Sequence, residues 1–395
     1  MGEIKVHQDR FVIGLTGNIG TGKSLVRKML QHLGAYGIDA DILTHLALKP
    51  DSPAHKRIIH RFGTSILDTH GAVDRVKLAH IVFSDEKALI ELENILHPLV
   101  STAVANMIQH TRLPIIVIEA IKLLESDLAG MCDSIWVVDA QEQAIFDRLS
   151  HARGMGRAEI KERLSHQSPS KNKRQQADVL IENSQDVYQT WQQVTEAWDQ
   201  TKVKNRIFSG FINRTSDLLA SSKDFLITPS SDNISAVEEF VCEENQSARH
   251  IKWLEDRSNF SPTRQYHTQQ DFTQLVCQYF LFAIPDSSNN ESITIWDLSQ
   301  FKLTLLGHNF ANSDTASNDF KKAVALIEHF CHMHVTRRII YPIEDHLKER
   351  KSFLRERGYK SMPSLNVDIS YWKKAGYNLY QKKVRDAFEL FSTRT

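Results

Sequence analysis

The chain has 395 residues, 41% hydrophobic and 24% charged, which is typical of soluble globular protein and exceeds the length of one ordinary domain. Lysine plus arginine equals aspartate plus glutamate at 48 each, so charge gives no argument for a nucleic-acid or membrane partner, and we expect neither. With no transmembrane-length apolar run, no secretory signal and no C-x-x-C pair among four scattered cysteines, the composition disfavours a membrane protein, a disulfide framework or a zinc module and predicts a cytoplasmic location.

A glycine-rich segment, Gly17 to Ser24, fits the P-loop pattern G-x-x-x-x-G-K-[ST]. The apolar run Phe11 to Leu15 before it predicts a buried parallel strand, and Leu25 to Leu33 after it predicts a helix with one apolar face. Glycines allow close approach, and successive backbone N–H groups at a helix N-terminus bind phosphate oxygens. A chance match in a glycine-rich loop is the alternative, but the flanking elements favour nucleotide binding.

The P-loop pattern also assigns roles to side chains. Lys23 is expected to reach the β- and γ-phosphates, and the Ser24 hydroxyl is expected to bind Mg²⁺. The residues expected at the nucleotide are Gly17, Asn18, Ile19, Gly20, Thr21, Gly22, Lys23, Ser24 and Leu25.

A short second strand, Tyr36 to Ile38, is followed by two acids, Asp39 and Asp41. Ligands in such sheets lie beyond the carboxyl ends of the strands, so both acids are expected near the γ-phosphate. One of them can act as general base on an attacking hydroxyl, and either can help to hold Mg²⁺. Alternatively, Asp41 caps a helix that starts near Ile42, and one residue can do both.

Helical patterns follow before the next strand and predict a substrate-side lobe. They are Ser52 to Phe62, Asp74 to Phe83, and Glu86 to Gln109, the last interrupted at His97-Pro98. The cluster of Arg75, Lys77 and His80 can contact a phosphorylated substrate or form a solvated face, and we favour the solvated face for Lys77.

Two further apolar strands are predicted, and each ends in an acid. Leu113 to Glu119 is the most hydrophobic strand and is expected to be central in the sheet. Its last residue, Glu119, stands in the place of a Walker-B-type acid. Glu119 is therefore a candidate Mg²⁺ ligand, as is Asp41. Ser134 to Asp139 is the other. A last strand, Asp178 to Asn183, and a closing helix, Tyr188 to Trp198, complete this half.

Between these strands the chain is rich in basic residues. A helix from Ala144 to Arg157 is predicted to carry Arg148, His151 and Arg153, and a basic loop with Lys171, Lys173 and Arg174 follows Gln167. Arginines on a mobile lid can close over a triphosphate and neutralise developing charge. Surface charge is the alternative, but after a P-loop fold we favour the lid.

Taken together, these pieces resemble the dephospho-CoA kinase family over about residues 10–200, in order and in spacing. The matching segments are Gly14 to Ser24, Ile38 to Asp41, Phe62-Gly63, Asp74-Arg75, Val82-Phe83, His97-Pro98, Leu123 to Glu125, Cys132-Asp133, Trp136 to Asp139, Arg148-Leu149, Gln167, Ala177-Asp178 and Ile181 to Asn183. The resemblance implies a P-loop kinase that transfers the ATP γ-phosphate to the ribose 3′-hydroxyl of dephospho-CoA, the last step of coenzyme A synthesis.

The resemblance also implies residue roles, with ATP and Mg²⁺ as cofactors and dephospho-CoA as partner. Asp41 matches the proposed base, Lys23 and Arg148 are the catalytic cations at the phosphates, and the remaining candidates serve the substrate or the lid. These candidates are Asp39, His80, His97, Glu125 and Arg153.

The chain departs from the family pattern at three places. Ile121-Lys122 stands where the family has a proline before two leucines, Ser101 replaces an arginine after His-Pro, and Arg153 is shifted by one residue. The first change favours, as an alternative, a kinase of another small hydroxyl acceptor. A non-catalytic nucleotide- or CoA-sensing protein is a third possibility, which the intact Lys23, Ser24 and Asp41 disfavour.

The second half has a different pattern, so we expect a first domain at 1–204, a connector at 205–224 and a second domain at 225–395. A helix is predicted at Ile207 to Leu219 and a strand, turn and helix at Phe225 to Phe240. Further strands are predicted at Leu275 to Pro285, Ser292 to Leu298, Phe301 to His308 and Arg338 to Pro342, and further helices at Phe320 to His334 and His346 to Arg357, the last ending at Gly358.

This order resembles a GNAT-type N-acetyltransferase domain, a mixed α+β fold, which implies CoA or acetyl-CoA as a further partner. The turn from Asn309 to Asp319 has neither the glycines nor the cation with which that family holds pyrophosphate, so a non-catalytic module is as well supported. The cluster Glu344-Asp345-His346 is either an acid/base group or a helix cap. The tail from Asp368 to Thr395 carries Trp372, Tyr377, Tyr380, Phe388 and Phe391 and is expected to end in a packing or oligomerising helix.

Overall fold

The computed structural model describes residues 10–204 except 51 and 112, and seven ranges of the second half: 280–285, 291–299, 302–308, 318–333, 338–344, 347–362 and 377–383. Several predictions therefore lie outside the described residues. These are the connector at 205–224, the elements at 225–240, the start of the strand at 275–279, the turn after His308, residues Asp345, His346 and Trp372, and the tail from 384 onward.

The first half is built on a five-stranded parallel sheet, as predicted. Its strands are β1 (Phe11–Thr16), β2 (Tyr36–Asp39), β3 (Ile115–Glu119), β4 (Ser134–Asp139) and β5 (Val179–Glu182). They lie in the order β2-β3-β1-β4-β5, and every pairing is parallel. Strand β3, which ends at Glu119 and was expected to be central, is an interior strand, but the central strand of the five is β1.

Nine helices connect and cover these strands in residues 10–204. They are α1 (Lys23–His32), α2 (Ala40–Ala47), α3 (His55–Phe62), α4 (Arg75–Ser84), α5 (Glu86–His110), α6 (Glu142–Arg153), α7 (Arg157–Ser165), α8 (Ser170–Gln175) and α9 (Val187–Lys204). Short 3₁₀ turns occur at Thr64–Ile66 and Asp127–Met131. No helix in the described part of the chain is both long and apolar enough to cross a bilayer.

Alternate residues of the strands face two separate cores. Ile13 and Val117 pack with α1 and α9, whereas Val12 and Ile116 pack with the helices α2 to α5. Because helices cover both faces, the strands are apolar throughout, which is why they are recognisable as buried runs in the sequence. The same arrangement brings the carboxyl ends of β1, β2 and β3 together at one edge.

Helix α5 runs through Pro98 without a break, so the predicted interruption at His97-Pro98 is wrong. A proline inside a helix removes one hydrogen bond and costs about 3 kcal/mol. Here residues on both sides of Pro98, among them Ile95 and Val104, are buried in the same core. Packing of the whole 25-residue helix therefore outweighs the local cost.

The lid also differs from its prediction in two ways. The expected helix from Ala144 to Arg157 ends at Arg153, because Gly154 adopts a left-handed conformation with φ 62°, and Arg157 begins α7. The expected basic loop after Gln167 is the short helix α8. Lys173, assigned to a mobile basic loop, is instead buried within α8, with 2% of its surface exposed.

The second half contains a six-stranded sheet in the order β10-β11-β9-β8-β7-β6. Its elements are β6 (Phe280–Pro285), β7 (Glu291–Ser299), β8 (Lys302–His308), α10 (Asn318–Met333), β9 (Arg338–Glu344), α11 (Lys348–Glu356), β10 (Lys360–Ser361) and β11 (Tyr377–Lys383). The predicted hairpin of β6 and β7 is confirmed as an antiparallel pair. Among the described strands of this half, only β8 and β9 pair in parallel, over three residues, with α10 between them in the chain.

Two details of this half were predicted and one was not. The inward face of α10, including Val324 and Ile327, is buried, and Gly358 has φ 87° just after α11. Residues 377–383, for which the sequence predicts no element, form β11 and pair antiparallel with β9 along its whole length. The helix predicted at the end of the tail lies outside the described residues. The free edge of β9 supplies backbone partners to this segment, and Tyr380 packs into the core.

Candidate active site

The turn between β1 and α1, residues 17–22 (the phosphate loop), requires glycine at both ends. Gly22 has φ 97°, and a Cβ there would lie 2.0 Å from Asn183 Nδ2. At Gly17 a Cβ would lie 2.2 Å from the Val138 carbonyl oxygen. Helix α1 begins at Lys23, so its N-terminal N–H groups, which attract phosphate, open directly onto this turn.

Side chains from three distant segments hold the phosphate loop in place. Asn183 Nδ2 donates to the Thr21 carbonyl at 2.7 Å, and Thr190 Oγ1 donates to Asn183 Oδ1 at 2.8 Å. The Ile19 N–H donates to Gln167 Oε1 at 2.9 Å. The residue after β5, helix α9 and the segment before α8 therefore hold the loop in its conformation before any ligand binds.

Lys23 is buried at the carboxyl end of the sheet, with 7% of its surface exposed. Its Nζ donates to the Asn18 carbonyl at 3.0 Å, so the ammonium lies inside the phosphate loop. Burial lowers the pKa of Lys23, while the carboxylates of Glu119, Asp41 and Asp39 oppose that change. The ammonium of Lys23 thus interacts with nearby carboxylates, and it can pair with a phosphate group when a nucleotide binds.

Glu119 receives two strong hydrogen bonds from α1. Ser24 Oγ donates to its Oε1 at 2.7 Å, and Arg27 Nε donates to its Oε2 at 2.6 Å. Burial alone would raise the pKa of Glu119, but Arg27 and Lys23 outweigh burial and lower it. Glu119 is therefore an ionised carboxylate beside the Ser24 hydroxyl.

The two acids after β2 have different positions. Asp39 is the N-cap of α2, where it accepts from the Ile42 N–H at 2.9 Å, and it also pairs with Arg27 at 3.5 Å. Asp41 lies in the first turn of α2, and the backbone N–H of Ile121 lowers its pKa in part. The suggestion that Asp41 caps the helix is wrong, because α2 starts at Ala40, earlier than expected.

Because Asp39 caps α2, the carboxylate of Asp41 is not used as the N-cap of that helix. Burial raises the pKa of Asp41, and the nearby Lys23 lowers it in part. Burial also raises the pKa of Asp39 to about 6, with Glu119 acting in the same direction. Asp39, Asp41 and Glu119 thus form a group of carboxylates balanced by Lys23 and Arg27.

Arg148 on α6 lies next to the phosphate loop. One guanidinium nitrogen donates to the Asn183 carbonyl at 2.6 Å. The other, Nη1, is buried without a hydrogen-bond partner among the described residues and lies 4.0 Å from the position of a Cβ on Gly22. Arg153 is exposed at the end of α6, and its charge lowers the pKa of Lys23.

The acceptor-side candidates lie farther from these charges. His80 is exposed on α4 and His97 is half-buried on α5, both within the helical lobe. Glu125 accepts a hydrogen bond from the Ser168 hydroxyl. Within the described residues, no hydrogen bond links either histidine side chain to the carboxylates beside Lys23.

Three basic residues singled out in the sequence have structural partners. Lys122 Nζ pairs with Glu93 on α5 at 2.6 Å. Arg75 contacts His45 Nε2 at 2.8 Å, and Lys77 Nζ donates to the Leu67 carbonyl at 2.9 Å. The ammonium that replaces the family's proline is therefore held against α5.

Four residues that build this site are not predicted from the sequence. Gln167 and Asn183 stood in matching segments without a role, and Lys173 was counted as loop charge. Arg27 had a usable signal, because residues three apart on a helix share a face, and Arg27 lies three residues after Ser24. A cation on the same face of α1 as Ser24, next to strands that end in acids, predicts an ion pair between Arg27 and one of those acids.

A phosphate loop at the carboxyl end of a parallel sheet, faced by acids and by an arginine-bearing helix, defines the class of P-loop kinases. The first half of this chain has that fold.

Comparison with known proteins makes the class specific. The family model for dephospho-CoA kinase matches residues 11–189. Dephospho-CoA kinase of Geobacter metallireducens is 38% identical over 197 residues, which cover 49% of this chain and 98% of that protein. The enzyme of Carboxydothermus hydrogenoformans is 36% identical over 197 residues, or 49% and 96% of the two chains. A solved dephospho-CoA kinase from Campylobacter jejuni aligns with 49% of this chain and 98% of its own, at 21% identity and a TM-score of 0.36.

The chain belongs to the dephospho-CoA kinase family, and it is a transferase of coenzyme A biosynthesis. The family match ends at residue 189, so it leaves the second half of the chain unassigned.

Proposed function

We propose that this chain transfers the γ-phosphate of ATP to the 3′-hydroxyl of the dephospho-CoA ribose and so forms coenzyme A. The observation that carries this proposal is the position of Asp41, half-buried in the first turn of α2 and near enough to Lys23 for each charge to shift the pKa of the other. The names of the relatives supply the acceptor, and the phosphate loop supports a nucleoside triphosphate as donor.

The proposed step is an in-line displacement. The acceptor oxygen forms a bond to the γ-phosphorus as the bond to the β-phosphate oxygen breaks, ADP leaves, and Asp41 takes the hydroxyl proton. Burial, which raises the pKa of Asp41, makes it a better base at neutral pH. Lys23, Arg148 and Arg153 stabilise the charge on the transferred group.

On the acceptor side we propose His80, His97 and Glu125 as substrate contacts, with Asp39 supporting the carboxylate group through Arg27. The helical lobe carries both histidines, which supports this assignment.

We also propose that Mg²⁺ binds at the Ser24 hydroxyl, with Asp41 or Glu119 as its carboxylate ligand. These are hard oxygen donors, which Mg²⁺ prefers, so the residues fit the ion. No group of three or more acids, histidines or cysteines among the described residues is arranged to hold a metal by itself. That suits Mg²⁺, which uses one or two carboxylates together with substrate phosphates. Bound there, the ion would neutralise phosphate charge.

ADP release by the purified protein, measured with and without dephospho-CoA, tests the proposal. We expect release to depend on dephospho-CoA, to stop on removal of Mg²⁺ by EDTA, and to disappear in Lys23→Ala and Asp41→Asn. Release that another small hydroxyl compound stimulates more strongly would contradict the proposed acceptor. Unchanged release in Asp41→Asn would contradict the proposed base.

For the second half we propose a domain at 225–395, after a connector at 205–224, with a GNAT-like mixed α+β fold. The parallel pair β8 and β9, joined through α10, supports it. The two strands pair only at 302–304 and 338–340, whereas each continues for four more residues beside its other neighbour. Such a divergence leaves backbone groups available to an extended ligand, and a CoA species is the one we propose.

Titration calorimetry of the full chain with acetyl-CoA, under saturating dephospho-CoA to occupy the kinase acceptor site, tests this assignment. We expect one further acetyl-CoA site. Absence of heat under these conditions would contradict CoA binding in the second half.

A further inference from the structure

Glu125, one of the proposed acceptor contacts, lies in the turn that follows β3, residues 121–126 (the acceptor-side turn). Glu125 is exposed, and an exposed glutamate is ordinarily free to change conformer, which costs free energy when a ligand has to order it. Here its Oε1 accepts a hydrogen bond from the Ser168 hydroxyl. Within the part of the chain that the structure describes, no other hydrogen bond or ion pair holds this carboxylate, so its orientation depends on Ser168.

Ser168 is also attached to the phosphate loop. Its carbonyl oxygen accepts from Asn18 Nδ2 at 3.3 Å, and the residue before it, Gln167, accepts from the Ile19 N–H at 2.9 Å. The Asn18 carbonyl in turn accepts from the Lys23 ammonium at 3.0 Å. Ser168 therefore contacts the phosphate loop through its backbone, while its hydroxyl contacts the acceptor-side carboxylate.

The chain that follows Ser168 is held as well. Pro169 has φ −53°, and a proline restricts the conformation of the residue before it, so Ser168 has few alternative conformations. Lys173 on α8 is 2% exposed, and its Nζ donates to the Ile121 carbonyl at 2.8 Å. Because Ile121 begins the acceptor-side turn, that turn meets residues 168–173 at two points, and both points fix its place relative to the phosphate loop.

We propose that Ser168 is a positioning residue for phosphoryl transfer: it holds the Glu125 carboxylate in one place relative to the phosphate loop, so that an acceptor bound by Glu125 meets the γ-phosphate. This inference rests on the proposed role of Glu125 as an acceptor contact. Alignment of donor and acceptor is a large part of what a protein contributes to phosphoryl transfer.

The bond between Ser168 and Glu125 should matter more for the reaction than for stability. A hydrogen bond to an exposed carboxylate contributes little to the free energy of unfolding, because water can replace the hydroxyl. For the reaction, a misplacement of about 1 Å can cost about 100-fold in rate. The two roles therefore predict different results for a variant that lacks only the hydroxyl.

The test compares Ser168→Ala with Ser165→Ala, whose hydroxyl donates to the Glu162 carbonyl of its own helix at 2.7 Å. For Ser168→Ala we expect kcat/KM for dephospho-CoA to fall about tenfold, as for one hydrogen bond to a charged group. The ATP KM should stay within about twofold, because the phosphate loop keeps its own contacts, and the melting temperature should not change. Ser165→Ala should alter none of these quantities. Ser168→Thr, which keeps the hydroxyl, should restore kcat/KM, and in a Glu125→Ala background Ser168→Ala should cause no further loss.

Hydrogen exchange separates this inference from the proposed function. The Ser126 N–H donates to the Leu123 carbonyl at 3.3 Å within the acceptor-side turn, and it should exchange faster in Ser168→Ala than in Ser165→Ala, whatever the acceptor is. Wild-type protein without dephospho-CoA-dependent ADP release would overturn the proposed function, while faster exchange would still support the attachment of this turn to Ser168. An unchanged kcat/KM, an unchanged Ser126 exchange rate, or additive losses with Glu125→Ala would each overturn the positioning role.

Discussion

The charged side chains are buried in one region of the first half and exposed in another. The first region is the carboxyl end of the sheet around the phosphate loop (the phosphate end), and the second is formed by helices α3 to α5 (the lobe). At the phosphate end, the side chains of Arg27 and Glu119 are only 11% and 4% exposed, and they meet at 2.6 Å. In the lobe, the paired side chains of Arg61 and Glu91 are 44% and 45% exposed. Water and salt screen the second pair but not the first. One ion pair at the phosphate end is therefore expected to contribute much more to the free energy of unfolding than one ion pair in the lobe.

This difference bears on how each region can work. Charges that are buried together fix one another, so the phosphate end is already arranged for a triphosphate before one binds. Charges in the lobe are free to change partners, which suits a surface that meets a large acceptor. Substitutions at the phosphate end should therefore cost more than matched substitutions in the lobe.

Gly22→Ala should be the most damaging change at the phosphate end. The new Cβ would lie 2.0 Å from Asn183 Nδ2, on a backbone with φ 97° that disfavours any other residue. We expect a loss of stability of about 3 kcal/mol or more, together with loss of ATP binding. Thermal unfolding and ATP titration measure the two effects. Gly130→Ala is the control, since its Cβ would meet nothing within 4 Å. Normal ATP binding by Gly22→Ala would show that the loop adapts.

Arg27→Met compares the two regions directly. It leaves the buried carboxylates of Glu119 and Asp39 without their shared cation, so we expect a loss of about 3–5 kcal/mol in the free energy of unfolding. The matched variant Arg61→Met, in the exposed pair of the lobe, should cost less than about 1 kcal/mol. Urea denaturation of both variants provides the measurement. Equal losses would mean that burial does not distinguish the two pairs.

The same contrast explains what was predictable from sequence. The strands, the phosphate loop and the acids after β2 and β3 were found because apolar runs, glycines and strand ends have local patterns. Arg27 and Lys173 were missed or misplaced because their partners, Glu119 and Ile121, are distant in the chain. The break predicted at Pro98 was wrong because packing of the whole helix overrode local preference. Strand β11 was not predicted because it depends on pairing with β9, a distant segment.

Asp39→Asn tests the electrostatics of the phosphate end through pH. Burial, together with Glu119, raises the pKa of Asp39 to about 6, so the folded protein favours its protonated form. The stability that this group contributes is complete below about pH 4 and is lost as pH rises through about 6, by at most about 3 kcal/mol. Asparagine stays neutral and still caps α2.

The variant should therefore gain stability relative to wild type between pH 4.5 and pH 7.5, measured by urea denaturation at both values. Asp74→Asn, which changes the N-cap of α4 in the lobe, controls for the effect of capping itself. A difference between Asp39→Asn and wild type that does not change with pH would rule out a titrating Asp39.

The smallest effect is expected at Lys122, where the chain departs from its family. Its ammonium pairs with Glu93 on α5, and the two side chains are 51% and 28% exposed. A double-mutant cycle with Lys122→Ala and Glu93→Ala should give a coupling of about 0.5 kcal/mol, as for other exposed pairs. Because the ammonium is held against the lobe, the KM for dephospho-CoA should be the same in both single variants. A KM that rises in Lys122→Ala but not in Glu93→Ala would instead place this lysine at the acceptor, and the lobe would then share in the fixed electrostatics of the phosphate end.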